Sequence, residues 1–185
     1  MSHNYGPANF DNIFDVGIDK VEFKVAKESK STAKRKLNIV VLTGAGISAE
    51  SGIGTFRGAG GLWEGHDVND VATPEAWEKD SKRVLEFYNL RRQRIAEVKP
   101  NRAHYALAVL ENQHQVQIVT QNIDNLHEAA GSNNILHLHG EITKACSSLD
   151  KSAVTDIGFK NIEPGMVAED GSQLRPYIVW FGEAV

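Results

Sequence analysis

Apolar residues gather into four short runs along the chain, at residues 37–42, 116–119, 135–139 and 177–181. The first two runs are almost continuously apolar, which is typical of strands buried on both faces of a parallel sheet. We interpret the third run, which includes two histidines, and the fourth run as further strands. The hydrophobic pattern therefore predicts four core strands.

Two helices are expected between the first and second strands. Thr73 is a good N-cap, Pro74 suits the first helical position and Glu75 places an acid in the first turn, so a helix should begin here. Pro100 should end it. Asn101 can cap a second helix, which leads to the second strand. Strands that alternate with helices predict an α/β fold with a Rossmann-like parallel sheet and helices on both faces.

The remaining segments lack a regular apolar period. The lysine-rich stretch 26–36 is polar throughout, and we expect residues 1–36 to form an N-terminal extension and linker. Residues 146–175 are rich in Ser, Asp and Gly and predict an irregular excursion, within a small inserted module at about 143–175. Since Val185 directly follows the fourth strand, we expect the sheet to be C-terminally incomplete.

The composition is that of an ordinary folded protein. The chain has 185 residues, 41% hydrophobic and 24% charged, with a net charge of -4. This mild charge disfavours binding to nucleic acid or to an anionic membrane. No apolar run is long enough to span a bilayer. The single cysteine, Cys146, allows no intramolecular disulfide, so we expect a reducing, cytoplasmic location. Nothing in the composition indicates an oligomeric state.

The glycine-containing turn after the first strand indicates a phosphate-binding site. Residues 44–52 lead from a strand into a helix, whose free amides and dipole favour phosphate. Such turns also need glycine for steric reasons alone, which leaves the function of the turn open. A dehydrogenase should then show a second strand with an acidic residue about 20 residues further on. The glycine-rich segment 58–65 stands there instead, which disfavours hydride transfer and predicts a lid carrying Phe56 and Arg57.

Two polar clusters follow the second and third strands. Gln121, Asn122 and Asp124 come directly after the second strand, where α/β folds bind ligands, although Asp124 could equally cap a short helix. His137 and His139 lie in the third run. Either histidine could be an ordinary polar contact, or one could be a base with a pKa near neutrality. Metal binding is a weak interpretation, because Cys146 is the only nearby thiol.

Taken together, these clusters resemble the sirtuin family of NAD-dependent protein lysine deacylases. The segments GAGISAESGIGTFR, TQNIDNLH, HLHGE and VWFGEAV occur in the family's order and spacing, within residues 37–185. The resemblance implies an NAD-binding catalytic domain over these residues. It also implies NAD as co-substrate, acylated-lysine proteins or peptides as substrates, and nicotinamide, free lysine and O-acyl-ADP-ribose as products.

The resemblance also implies roles for individual residues. It implies that NAD is bound by Gly44, Ala45, Gly46, Ser48, Thr55, Phe56, Arg57, Gln121, Asn122, Ile123 and Asp124. His139 would be the catalytic base that activates a ribose hydroxyl after nicotinamide has left and the acyl oxygen has attacked the ribose. The substrate peptide would lie along Val179, Trp180 and Phe181. Tyr88 and Arg91 resemble the Tyr-x-x-Arg pair with which one sirtuin class binds acidic acyl groups such as succinyl, and Thr55 fits the same class.

This chain departs from the family pattern in two ways. Most sirtuins hold a structural zinc with two cysteine pairs, whereas this chain has only Cys146, so we expect no zinc. The family's adenosine-binding strand and turn would follow Val185, so we expect weakened NAD affinity. Two alternatives to a deacylase therefore stay open: a catalytically silent NAD or ADP-ribose binding module, and a protein ADP-ribosyltransferase.

Overall fold

The computed structural model describes residues 35–54, 62–63 and 65–185, and five helices and eight strands lie among them. In chain order these elements are β1 (Asn38–Thr43), α1 (Ala45–Ala49), β2 (Leu62–Trp63), β3 (His66–Asp67), α2 (Val68–Val71), α3 (Pro74–Glu97), α4 (Arg102–Leu110), β4 (Gln115–Thr120), α5 (Leu126–Ala129), β5 (Ile135–His137), β6 (Gly140–Ser147), β7 (Val154–Asp156) and β8 (Leu174–Ile178). The predicted N-terminal extension lies outside the described residues, apart from Arg35 and Lys36.

The central sheet has three parallel strands in the order β1-β4-β5. The register pairs Thr43 with Thr120 and Thr120 with His137, so all three strands end at the same edge. This confirms the predicted α/β fold with a parallel, Rossmann-like sheet. Because ligands bind beyond the carboxyl ends of such strands, the register brings the segments that follow β1, β4 and β5 together.

The sheet is less buried than the apolar pattern of β1 predicts. Val116 and Ile118 of β4 are buried, whereas Val40 and Leu42 of β1 are 72% and 67% exposed. The prediction that β1 is buried on both faces is therefore wrong for the described chain. Apolar composition on both faces shows what a strand is able to bury, and here the described residues cover only one of its faces.

The caps of α3 and α4 match the sequence signals. Thr73 Oγ1 accepts a 3.1 Å hydrogen bond from the Ala76 amide, and a proline occupies the first turn of α3. Asn101 Oδ1 accepts from the Ala103 amide at 2.9 Å, and His104 completes a capping box. Both N-cap predictions are confirmed. No helix in the described part of the chain is long and apolar enough to cross a membrane.

The third and fourth predicted strands need correction. β5 ends at His137 rather than at residue 139, and β6 begins at Gly140. Gly140 has a φ of 80°, and a Cβ there would collide with the Tyr177 carbonyl. The fourth run contributes only its first residues to β8, which pairs antiparallel with β6 and does not join the parallel sheet.

The segment predicted as irregular, residues 146–175, contains regular structure. β6, β7 and β8 form a three-stranded antiparallel sheet in the order β7-β6-β8. Its strands include polar residues such as Lys144 and Ser147, so they lack the apolar runs by which the core strands were predicted. Turns and polar residues do not exclude strands whose partners lie far away in the sequence.

Helix α3 joins this antiparallel sheet to the parallel one. One buried cluster includes Tyr88, Ile123 and Trp180, which come from α3, the segment after β4 and the segment after β8. A second cluster packs Leu85 of the same helix against Ala145 of β6. The helix thus fixes where the two sheets meet, and the candidate site lies there.

Candidate functional site

The turn between β1 and α1 is open on one side. Gly44 precedes α1 in an extended conformation, and no described side chain caps this helix end. A Cβ at Gly44 would stand 3.5 Å from Gln121 Oε1, while one at Gly46 would have no atom within 4 Å. Asn101 Nδ2 donates to the Ile47 carbonyl at 2.7 Å and holds α1 from the other side. No described side chain therefore caps the amides at the start of α1.

Ser48, Asn122 and Asp124 form a buried hydrogen-bonded group. Ser48 Oγ donates to Asp124 Oδ2 at 3.0 Å, and Asn122 Nδ2 donates to Ser48 Oγ at 3.0 Å and to the Gly44 carbonyl at 3.1 Å. Asp124 Oδ1 also accepts from the Leu126 amide at 3.2 Å. Asp124 thus contacts both Ser48 and the backbone at the start of α5, but the N-cap of this helix is Asn125, so the interpretation of Asp124 as the N-cap is wrong.

Four consecutive carbonyls, which start at the last residue of β4, accept hydrogen bonds from residues between the end of β5 and the start of β6. Taking acceptors 120 to 123 in order, the donors are the Leu138 amide at 2.8 Å, His139 Nδ1 at 3.0 Å, His137 Nδ1 at 2.8 Å and the Ile142 amide at 2.8 Å. Each carbonyl accepts only, so both histidines carry a proton on Nδ1. The segment that bears Gln121, Asn122 and Asp124 is therefore held along its whole length.

His139 is set up to act as a base. Its Nδ1–H donates to the Gln121 carbonyl, so in the neutral ring the lone pair is on Nε2. The side chain is half-buried and lines the cleft described next. Of the two histidines that the sequence left open, His139 alone lines this cleft.

A cleft of about 270 Å³ gathers most of the predicted site residues. Its lining residues are Ala45, Ser48, Ile53, Gly54, Ala72, Tyr88, Arg91, Gln121, Asn122, Ile123, Asp124, His139, Ile178, Val179 and Phe181. Gly44, Gly46 and Trp180 do not line it, and Thr55, Phe56 and Arg57 lie outside the described residues. The apolar wall of Ile53, Ala72 and Ile178 could not be predicted from the sequence, because each is an ordinary core residue by type.

Tyr88 and Arg91 reach the cleft from α3. Both are almost completely buried, at 0% and 6% exposure. Burial raises the pKa of the Tyr88 hydroxyl well above its usual range, although the indole of Trp180 and the charge of Arg91 act in the opposite direction. Tyr88 is therefore a neutral hydroxyl beside a guanidinium at the inner end of the cleft.

Trp180 lies beneath the cleft rather than in its wall. Its ring packs 5.7 Å from that of Trp77, and the Arg175 guanidinium stacks 3.4 Å from the centre of the indole. Glu183 accepts from Arg175 at 2.9 and 3.2 Å and from the Trp180 amide at 2.9 Å. This group supports the wall formed by Tyr88, and no pattern in the sequence predicted it.

The residues around Cys146 do not fit a structural zinc. Burial raises the pKa of the Cys146 thiol, and the sequence has no second cysteine. The neighbouring Ser147 Oγ instead contacts Asp170 Oδ2 at 2.5 Å and Ser172 Oγ at 2.7 Å, and accepts from two amides of the next turn. A zinc site needs four nitrogen, sulfur or oxygen ligands in tetrahedral array, whereas these groups satisfy one another.

Comparison with known proteins agrees with this geometry. The NAD-dependent protein deacylase of Helicobacter pylori is 59% identical over 148 residues, which are 80% of this chain and 64% of that protein. Its counterpart in Bacteroides thetaiotaomicron is 57% identical over 155 residues, which are 80% of this chain and 65% of that protein. The chain thus spans just under two thirds of the length of these curated relatives.

A solved structure and a family profile agree with these relatives. The crystal structure of a Sir2 homologue–NAD complex superposes with a TM-score of 0.70 at 41% identity, covering 80% of this chain and 58% of that one. The Sir2 family profile matches residues 44–185, which include the cleft, the segment after β4 and His139. The chain belongs to the Sir2 family.

Proposed function

We propose that this chain carries the catalytic residues of an NAD-dependent protein lysine deacylase. One observation carries the proposal: His139, with its Nδ1 proton bound to the Gln121 carbonyl, shares a cleft with Ser48, Asn122 and Asp124. A base beside a buried polar pocket is the arrangement that acyl transfer to a ribose hydroxyl needs. The deacylase names of the two relatives support the same activity.

NAD fits the described part of the cleft. The amides at the start of α1, including that of Ala45, are not capped by a described side chain and suit a pyrophosphate, and Ser48 adds a hydroxyl. Gln121 suits a ribose, and the Asn122 and Asp124 side chains suit the nicotinamide carboxamide. When bound, NAD would supply the ADP-ribose that accepts the acyl group as nicotinamide leaves. The proposed cofactor site is completed by Gly44, Gly46, Thr55, Ile123 and the predicted lid residues Phe56 and Arg57.

His139 would take a proton at Nε2. The Gln121 carbonyl orients the ring and would stabilise the imidazolium that forms, because it continues to accept the Nδ1 proton. The acceptor is in turn fixed by the hydrogen bonds along residues 120–123. The base therefore needs little reorganisation, which is the condition for efficient proton transfer.

Tyr88 and Arg91 would bind the acyl group. A guanidinium at the buried end of the cleft attracts a carboxylate, and the Tyr88 hydroxyl can donate to the same group. We therefore propose that acidic acyl groups such as succinyl are preferred to acetyl.

The peptide that carries the acyl-lysine would lie along residues 179–181. Val179 and Phe181 line the mouth of the cleft, and the Phe181 side chain is 54% exposed. The Val179 amide donates to the His139 carbonyl at 2.9 Å, which links this segment directly to the proposed base. Trp180 would contribute from below, through its contacts with Trp77 and Arg175. Peptide binding beside β8 would extend the small sheet by β-augmentation.

The organisation of the chain is part of the proposal. Residues 37–185 would form the catalytic unit, with a small module at about 143–175, and residues 1–36 an extension outside it. The start of the family match at residue 44 supports this division. A reducing, cytoplasmic compartment is supported by the single, buried thiol of Cys146.

The proposal is tested by incubating the purified protein with NAD and either acetylated or succinylated peptide. Nicotinamide and peptide mass are followed together. Nicotinamide release with loss of the acyl group is the expected result. ADP-ribose added to protein would identify a transferase instead, and NAD binding without turnover a silent binding module.

A further inference from the structure

His137 bridges two acceptors that belong to different parts of the site. Its Nδ1 lies 2.8 Å from the Asn122 carbonyl and its Nε2 lies 2.8 Å from Glu128 Oε1. The side chain is only 7% exposed. Neither acceptor can donate while Glu128 is ionised, so both contacts are made only when the ring carries two protons and a positive charge.

The two acceptors connect the proposed nicotinamide pocket to helix α5. The Asn122 side chain donates to Ser48 Oγ and to the Gly44 carbonyl, so its backbone position decides where both contacts form. Glu128 belongs to α5, which begins at Leu126, two residues after Asp124. A neutral His137 would have to give up one of its two contacts, and the segment between Asn122 and α5 would lose one of its supports.

The charges around His137 favour its protonated form. Two carboxylates lie close to its ring, those of Glu128 on α5 and Glu141 on β6. One ring nitrogen of His137 and one carboxylate oxygen of each glutamate lie within 4.8 Å of one another. Lys144 pairs with Glu141 at 2.6 Å, and His127 is a further titratable neighbour on α5. Burial opposes the charge, but the hydrogen bonds that His137 donates to Glu128 and to the Asn122 carbonyl outweigh it and raise the pKa of His137.

We propose that protonated His137 is a positioning residue that holds residues 121–124 in their reactive arrangement, and that its deprotonation at rising pH loosens them and slows the reaction. The kinetic part of this proposal rests on the proposed function. His137 itself does not line the cleft and acts through the Asn122 carbonyl. The positioning part concerns the fold alone and can be measured without turnover.

Glu128→Gln is the most informative variant, because it keeps an acceptor for His137 but removes the charge. In ¹⁵N-labelled protein without NAD, we expect the imidazole of His137 to titrate at a higher pH than an ordinary histidine, and at a lower pH in the variant than in the parent protein. The matched control is Glu111→Gln, since Glu111 also accepts from the segment before β5, at Asn133, but does not contact His137. A His137 that titrates at the same pH in Glu128→Gln as in the parent protein would overturn the proposal.

Hydrogen exchange tests whether the titration controls the loop. After correction for the intrinsic rise of exchange with pH, we expect the protection of the amides of residues 121–126 to be about tenfold lower above the His137 transition than below it, with the transition moving in Glu128→Gln but not in Glu111→Gln. If the protection of these amides does not change across the pH range in which His137 titrates, His137 has no positioning role, whether or not the protein turns over substrate.

Kinetics test the link to the reaction. The ratio kcat/KM for NAD should fall on the alkaline side at the pH where His137 titrates, and this fall should move in Glu128→Gln. His137→Asn retains a short donor for the Asn122 carbonyl and should lose less activity than His137→Gln, which we expect to lose about tenfold. Neither variant should show the alkaline fall. If both His137 variants keep the pH profile of the parent protein, the proposal is wrong. If the parent protein shows no deacylation, the proposed function is wrong, and the titration and exchange results remain valid.

Discussion

Arg92 Nη1 donates a 2.7 Å hydrogen bond to Asn89 Oδ1, one turn earlier on the same helix. Arg92 is completely buried, and its Nε donates to the Ile142 carbonyl at 2.7 Å. Asn89 in turn binds both backbone groups of Ile162, at 2.9 Å each. Burial lowers the pKa of Arg92 to about 10, so the residue stays charged at neutral pH. Two side chains thus attach α3 to the small antiparallel sheet and to the segment around Ile162.

Replacing Asn89 should destabilise the protein strongly. Asn89→Ala removes the hydrogen bonds that the Asn89 side chain makes to the amide and carbonyl of Ile162 and to Arg92 Nη1. Each buried unsatisfied group costs roughly 1–3 kcal/mol, so we expect a loss of about 3 kcal/mol in the free energy of unfolding, measured by urea denaturation. Gln93→Ala is the matched control, because its contact with Asn161 is exposed and should contribute less than about 0.5 kcal/mol. Equal losses in the two variants would contradict the account.

Replacing His139 should separate two parts of the proposed reaction. A general base contributes roughly 10²–10⁴-fold, so His139→Ala should lower deacylation by about that factor. The base acts after nicotinamide has left, so exchange of labelled nicotinamide into NAD should fall much less. His114→Ala is the control, since His114 lies at the opposite end of β4. Unchanged deacylation in His139→Ala would remove His139 from its role.

Arg91 should decide acyl preference. Arg91→Met removes the only charge that Tyr88 and Arg91 bring to the cleft. A hydrogen bond to a charged group is worth about 1.5–3 kcal/mol, so kcat/KM for a succinylated peptide should fall about 10-fold to 100-fold. The value for an acetylated peptide should change by much less. Arg83→Met, on the same helix but in an exposed ion pair with Asp70, should change neither. A parallel fall for both peptides would indicate a structural role for Arg91.

Local signals explain which elements the sequence predicted. The strands β1 and β4 are apolar runs, and the helices α3 and α4 follow N-caps at Thr73 and Asn101, so each can be recognised within a few neighbouring residues. The strands β6 to β8 are held by pairing across many residues and by contacts such as those of Asn89, which leave no local pattern. The sequence therefore predicted neither β6 nor β7, and only the last two residues of β8.

Some parts of the site could be predicted from the sequence and others could not. Residues 121–124 and His139 follow neighbouring parallel strands, so the sheet topology alone brings them together. The contact between His137 and Glu128 is different, because it crosses the turn between α5 and β5, and no spacing in the sequence indicates it. A surface helix often carries Tyr and Arg, so these two residue types alone indicate no site. Only the family resemblance suggested a role for Tyr88 and Arg91.

The small sheet should keep its stability without metal. Ser147→Ala removes the hydroxyl that joins Asp170, Ser172 and two backbone amides, and we expect a loss of about 1–3 kcal/mol in unfolding free energy. Ser152→Ala, whose hydroxyl contacts only the exposed Asp150 among the described residues, should lose much less. A metal chelator should leave the melting temperature of the parent protein unchanged. Stoichiometric, tightly bound zinc in elemental analysis would contradict this prediction.

The buried histidines His104 and His127 should make the protein sensitive to mild acid. Their rings pack edge to face at 4.9 Å, and His127 Nε2 lies 3.0 Å from Thr43 Oγ1. Burial lowers the pKa of both rings. The charge of His127 further lowers the pKa of His104, and the charge of His137 further lowers that of His127, while Asp124 acts in the opposite direction on both. His104 Nδ1 also accepts from the Asn101 amide, so protonation would break the capping box of α4.

The sign of the effect follows from where the protons bind. The unfolded chain takes up protons on both rings near pH 6.5, whereas the folded protein does so only at lower pH, so stability is complete above pH 6.5 and is lost as pH falls from there through the folded pKa values. With two such groups the slope approaches about 2.7 kcal/mol per pH unit at most. His137 has the opposite sign, because its raised pKa gives stability that is lost as pH rises.

Urea denaturation between pH 5 and pH 6.5 measures this slope above the range in which carboxylates titrate. His104→Gln should roughly halve it, since one of the two buried rings no longer has to be protonated. His114→Gln is the matched control, because His114 is only partly buried, and it should keep the slope of the parent protein. If the slope is the same in all three proteins, mild acid must destabilise the fold through other groups, because a glutamine at position 104 has no proton to gain in this range.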